Sequence, residues 1–276
     1  MRILSLNAWG GRLHDALIPY LASAGADVVC LQEVVSTPAA DAEWLDYRDG
    51  AHRLAQRANL FAEVAAALPS HRGFFCPAAR GDLFEGDGPA ARRFPSEWGL
   101  ATFVRDGLPV IGQAQGFVHG GFSADGWGDH PRARNAHAVR LFDYRRGRAV
   151  TIAHMHGLRD FAGKGDTPAR AAQAERFAAM IAATAGEGDE IVACGDFNVL
   201  PGSVTFAVLA RLGLADLVTG RGHQDTRTSY YEKTPRFADY MLTSGNVAVR
   251  RFEVVEVPEV SDHRALVLEI GQAAPA

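Results

Sequence analysis

The chain is short of cysteine. Its 276 residues contain three, Cys30, Cys76 and Cys194, and no pair of them has the spacing of a zinc or redox motif. Cys30 and Cys194 lie inside apolar, strand-like runs, so buried free thiols in a reducing compartment are expected. Long apolar runs are also missing. No stretch approaches the ~20 residues of a membrane helix, and the opening MRILSLNAWG lacks the apolar run of roughly 7–15 residues found in a signal peptide. The expected compartment is the cytoplasm. Basic charge is not in excess, with 28 Lys and Arg against 32 Asp and Glu and a net charge of -4. That excludes a protein that coats nucleic acid by global charge and leaves local basic patches as the only route to it. No Ser/Pro-rich linker interrupts the chain. One domain over residues 1–271 is expected, followed by a loose tail at 272–276.

What remains is an ordinary globular composition, 47% hydrophobic and 22% charged. Short apolar runs predict strands at residues 2–7, 27–31, 99–104, 134–142, 149–154, 190–194, 237–243, 247–257 and 265–270. Ala- and Leu-rich helical spacing predicts helices at 13–24, 52–68, 168–185 and 204–212. Thr167-Pro168 is a helix opening, and Ser203 caps the helix after it. Strand–helix alternation at both ends encloses consecutive strands in the middle. An α/β four-layer sandwich accommodates both, with two mixed β-sheets packed face to face and helices on the outside. Residues 80–98 and 119–134 are rich in Gly, Pro and charge and read as long loops. The first is equally well a tolerated insertion. The second, with Trp127, His130 and Arg132 and running into Arg134, reads as functional.

The polar residues at strand ends carry the chemistry. Gly195-Asp196-Phe197-Asn198 follows an apolar run, and in extended chain Asp196 and Asn198 share one side. A carboxylate beside a carboxamide suits a hard cation, a water or a phosphate oxygen, although a strand ending in an Asx turn would look the same. Ser261-Asp262-His263 offers a general base or a polar turn. Glu33, after Leu31-Gln32, and Asn7 close the first two strands as metal ligands or as solvated ends. His154 and His156 leave a strand on one side, and no Cys or third His completes a zinc set. Asp239 lies within an apolar strand, where a carboxylate is costly unless paired, and His263 is an available partner.

Taken in order from Asn7 to His263, these motifs resemble the endonuclease/exonuclease/phosphatase superfamily of DNase I-like metal-dependent phosphoesterases, over nearly the whole chain. The resemblance implies Mg²⁺, with Mn²⁺ as an alternative, on Glu33 with Asn7 and Asp262 beside it. It implies that Asp196 orients the attacking water, that Asn198 and His156 contact the phosphate, and that His263 does so under the orientation of Asp239. His154 stands where the family often has Asn, and Trp9 where some members have Asp. Arg170 and Gln173 match a helix signature with an expected structural role. His154, Trp127, Arg132 and Arg134 are candidate substrate-binding residues, with Arg92 and Arg93 as further members of a basic patch. The implied activity is phosphoester hydrolysis of the phosphodiesterase or nuclease kind. The alternatives are a phosphatase or phospholipase C-like esterase, and a non-catalytic binding protein on the same fold. Expected partners are a phosphate-ester substrate, nucleic acid among the candidates, without a membrane anchor or a second subunit.

Overall fold

The computed structural model describes residues 1–271; the tail expected at 272–276 lies outside the described residues. In chain order the elements begin with β1 (Arg2–Asn7), α1 (His14–Ser23), β2 (Val28–Ser36), β3 (Trp44–Asp49), β4 (His52–Arg57), α2 (Leu60–Ala67), β5 (His71–Glu85) and β6 (Arg92–Arg105). They continue with β7 (Val110–His119), β8 (Arg134–Asp143), β9 (Arg148–His156), α3 (Pro168–Thr184), β10 (Glu190–Asp196), α4 (Val204–Ala210), β11 (Leu214–Asp216), α5 (Leu217–Gly220), β12 (Asp239–Ser244), β13 (Val249–Val254) and β14 (Leu266–Ile270). An eight-stranded sheet runs β13-β14-β1-β2-β6-β5-β3-β4, and a six-stranded sheet runs β11-β12-β10-β9-β8-β7. Both are mixed: β1–β2 and β9–β10 are parallel, and the remaining pairs are antiparallel.

The alternation of side chains along each strand sorts the layers. In β1 and β2, Ile3, Val28 and Cys30 face inward with Ile152, Val192 and Cys194 of the other sheet, while Leu4, Leu6, Val29 and Leu31 pack outward on Leu17 and Leu21 of α1 and Leu60 and Val64 of α2. On the far side Phe177 and Ile181 of α3 and Leu209 of α4 cover the six-stranded sheet. The result is the expected four layers. Thr167 caps α3 by accepting from the Arg170 amide, and Ser203 caps α4 by accepting from the Thr205 amide. All three cysteines are free and buried.

Two expected elements are corrected. The helix expected at 52–68 is β4 followed by α2. Residues 52–57 pair with β3 from Asp49↔His52 to Trp44↔Arg57, and Arg57 forks between Glu63 and Glu43. Tertiary pairing overrides the local Ala-rich signal there. The loop expected at 80–98 is a long hairpin of β5 and β6 with its turn at 86–91. Its charges are cross-strand partners, Arg92 on Glu85 and Arg93 on Asp82. The loop between β7 and β8 stands as expected. It touches β5 through bridges of Ala79 to Ser123 and Arg80 to Gly126.

Candidate active site

Register assembles a cluster at one rim of the two sheets. In the six-stranded sheet Asp196 is paired with His156 on one side and with Asp239 on the other. All three end inward-facing rows, which continue as His154, Cys194 and Met241. In the eight-stranded sheet Asn7 ends the inward row of β1. Parity alone would aim Glu33 outward with Leu31. A bulge in the β2–β6 ladder between Leu31 and Val34, with Glu33 in the left-handed region at φ 56°, turns it toward the rim. Trp9 (φ 50°) and Asn198 (φ 54°) are the other two non-glycine residues with positive φ among the described residues, and they flank the same cluster. Such strain collects where surrounding structure over-determines the backbone. The ends of β9 and β10 approach closely because Gly157 has no Cβ; one built there would lie 2.1 Å from the Phe197 carbonyl oxygen.

Hydrogen bonds aim the polar groups. Asn7 Nδ2 donates across the gap between sheets to Asp196 Oδ2 at 3.0 Å, and the Asn198 amide donates to Asp196 Oδ1 at 3.1 Å. Ser261 Oγ donates to the Asn7 carbonyl at 2.6 Å, tying the loop of Asp262 and His263 to the end of β1. His263 Nδ1 lies 2.8 and 2.9 Å from the two Asp239 oxygens. Its Nε2 receives an N–H of Arg227, so the ring proton belongs on Nδ1. Nε2 of His156 and Nε2 of His263 each lie 3.7 Å from Asp196 Oδ2, and His156 Nε2 lies 3.8 Å from Glu33 Oε1. His156, Asp196, Asn198, Asp239 and His263 are all buried.

The electrostatics divide this rim into two ends. At one end Glu33, with 29% of its side chain still open to solvent, is pushed up to about 7 by burial and by the like charge of Asp262, against a hydrogen bond from Asn7. Oxygen donors that repel one another in this way fit a hard divalent cation, and Glu33, Asp262 and Asn7 supply them. At the other end burial raises Asp239, while Arg227 and Lys164 draw it back. Burial and the Arg227 charge lower His263. Donor atoms of Asp196, Asp239 and His263 fall within 4.8 Å of one another. The Asp239–His263 pair is consumed in its mutual hydrogen bond, whereas Glu33 has no Lys or Arg partner among the described residues and Asp262, which shares Arg227 at 2.9 Å, keeps a second oxygen, so the Glu33–Asp262 end suits an ion better. Burial first, then Arg134, holds His156 well below the usual imidazole range.

The remaining sequence candidates separate. Arg134 belongs to the rim: it donates to the Gly157 carbonyl at 3.0 Å, lies 5.3 Å over the Trp98 ring, and is lowered to about 10 by burial while Glu33 and Asp196 attract it. His154 does not reach the mouth. It is 1% exposed, with Nδ1 3.2 Å from Gln32 Nε2 and Nε2 2.8 Å from Thr102 Oγ1, inside the inter-sheet core. Trp127 packs edge-on to Tyr47, and Arg132 pairs with Asp49 at 2.7 Å over the same ring. Arg92 is paired with Asp41 and Glu85, and Arg93 with Asp82. Arg170 and Gln173 fasten the 158–165 segment, Gln173 accepting from the Leu158 amide and Arg170 donating to the Gly163 and Gly165 carbonyls. Sequence reasoning missed Arg227 and Lys164. Both sit in irregular segments without periodicity or motif spacing, so no sequence signal marked them.

Comparisons agree with this geometry. The profile of the Endonuclease/Exonuclease/phosphatase family matches residues 4–263. Comparison with the curated proteins returns no match. Among solved structures, an endonuclease/exonuclease/phosphatase from Bacteroides vulgatus superposes with a TM-score of 0.68 at 19% identity, covering 99% of this chain and 98% of that one. A mannosyl-6-phosphatase from Bacteroides thetaiotaomicron gives 0.67 at 15% identity over 98% and 99%. The human Nocturnin catalytic domain with bound sulfate anion gives 0.62 at 17% identity over 98% and 93%. At these identities the likeness is one of fold.

Proposed function

The chain belongs to the endonuclease/exonuclease/phosphatase family, and from that premise we propose that it is a metal-dependent phosphoester hydrolase acting at the rim around Asp196. The observation that carries this reading is the convergence of Glu33 and Asp262, two carboxylates whose repulsion calls for a cation, beside an Asp196 oriented by donors from both sheets. Glu33, Asp262 and Asn7 would hold Mg²⁺ or Mn²⁺. When bound, such an ion polarises a phosphate oxygen as a Lewis acid.

The protein's own groups do the rest. Asn7 and the Asn198 amide use one lone pair on each Asp196 oxygen, leaving capacity to orient a water and take its proton. Asn198 Nδ2 and His156 present donors to the phosphoryl oxygens, where charge develops in the transition state. His263, braced at Nδ1 by Asp239, accepts an N–H of Arg227 at Nε2 and so fixes that guanidinium beside the same place.

Support for a polymer-tracking nuclease is weaker than for hydrolysis of a small phosphate ester. Arg92, Arg93 and Arg132 each have carboxylate partners, so they form no free basic stripe. The test is hydrolysis of a panel of DNA, RNA, sugar and inositol phosphates and a choline phospholipid, with Mg²⁺ and with EDTA. The reading expects metal-dependent turnover and, in Asp196→Ala, a kcat loss of about 10³-fold with little change in KM. A variant with near-normal kcat would remove Asp196 from the chemistry.

A further inference from the structure

A guanidinium and an ammonium sit at the rim between Asp262 and Asp239. Arg227 is 5% exposed and comes from the irregular segment between α5 and β12. A backbone bridge to His263 holds that segment, as does Arg236, which reaches the carbonyls of Arg227 and Thr228 at 3.0 Å each. The guanidinium lies 4.2 Å over the Tyr231 ring. One nitrogen, Nη1, serves both Asp262 Oδ2, at 2.9 Å, and His263 Nε2. Its Nε is buried with no partner. Lys164 stands 5.6 Å over the same Tyr231 ring, with its ammonium on the Phe237 carbonyl and close enough to Asp196 and Asp239 to feel both charges.

Asp262 takes one edge of the Arg227 guanidinium and Asp196 and Asp239 attract Lys164, but Nε of Arg227 stays without an acceptor. A buried N–H without an acceptor is unfavourable, and a phosphoryl oxygen beside His263 would supply one. The chemistry of the ester tells which anion. An internal phosphodiester carries two non-bridging oxygens and one negative charge. A terminal phosphomonoester carries three such oxygens and up to two charges. The Glu33–Asp262 end serves one oxygen, and Asn198 and His156 serve a second. A third needs donors beside His263, where Arg227 and Lys164 stand. A guanidinium fork is the natural partner of a phosphoryl group that presents more than one oxygen.

We propose that Arg227, with Lys164 beside it, is a substrate-binding pair that selects a terminal phosphomonoester over an internal phosphodiester. The proposal rests on the hydrolase reading above and names its substrate class.

The test compares the Mg²⁺-loaded wild type with Arg227→Met on matched aryl phosphate mono- and diesters, and measures binding of inorganic phosphate by calorimetry. The wild type is expected to prefer the monoester. Arg227→Met is expected to lose about 100-fold in monoester kcat/KM, the scale of one lost transition-state donor, and roughly tenfold less on the diester, where only its support of Asp262 and His263 is lost. Phosphate affinity should fall with the monoester rate, while Arg227→Lys recovers part of both. General damage to the rim would lower both substrates together. Equal losses, a wild type that prefers the diester, or unchanged phosphate affinity would each overturn the proposal. If nothing is turned over but phosphate binds the wild type and not Arg227→Met, the hydrolase reading fails and the anion site stands. Absence of both turnover and phosphate binding sinks both.

Discussion

Glu33 is the residue whose protonation the geometry governs most directly. Burial and Asp262 hold its carboxyl at about 7, so near neutral pH the metal-free rim carries a proton that an incoming cation must displace. Below 7 the proton competes with the ion; above 7 the carboxylate is free and competition ends. Apparent Mg²⁺ affinity is therefore expected to fall about fivefold from pH 7 to pH 6 and to level off above pH 8. Calorimetric titration across that range reads it directly. The sign matters, because a Glu33 with an ordinary carboxylate pKa would give a flat profile down to about pH 5. In Glu33→Gln the step at 7 should vanish together with most of the affinity.

At the scale of elements, Gly157 shows how the strand ends meet. Its amide donates to the Asp196 carbonyl at 2.6 Å, and its missing side chain leaves room for the Phe197 carbonyl. A Cβ would force β9 and β10 apart by moving backbone, which no rotamer change can relieve. Gly157→Ala is expected to cost about 3 kcal/mol in urea unfolding and to lower kcat through displacement of His156 and Asp196. An unchanged unfolding midpoint would mean the strand ends are free to part. The same elements show what the sequence made legible. β1, β9 and β10 were readable because each is an apolar run ending in a polar residue, and Asn7, His156 and Asp196 close those runs. β3 and β4 were not, because they sit toward one edge of the sheet with half-exposed, charge-rich strands whose pairing with each other supplies the order. The β5–β6 hairpin reads as a loop in sequence because its ion pairs look like solvated charge until the register is known. Glu33 was found through its motif, but its inward aim depends on a bulge that strand parity argues against. Arg227 and Lys164 needed the fold itself, since only the closing of irregular segments over the rim brings them to Asp239.

For the whole molecule the question is how its charge meets a substrate. The chain carries a net charge of -4, and arginines that could have formed a basic track are tied down: Arg48 and Arg53 to Asp46 and Asp87, Arg92 to Asp41 and Glu85, Arg93 to Asp82, Arg132 to Asp49. Exposed pairs of this kind add little stability, but they cancel the field that a polyanion would follow. At the rim, Arg134, Arg227 and Lys164 gather where the phosphoryl group itself must go. Salt then distinguishes two modes of binding. A protein that neutralises 6–10 backbone phosphates loses about 10³–10⁵ in affinity between 50 and 200 mM salt. One that grips a single phosphate in a buried site is screened far less. For the substrate class that the panel identifies, kcat/KM is expected to fall less than about tenfold over that range at constant free Mg²⁺. A steeper slope, approaching that of a backbone tracker, would mean that the surface ion pairs open for a polymer. It would move the substrate to nucleic acid despite the acidic total charge.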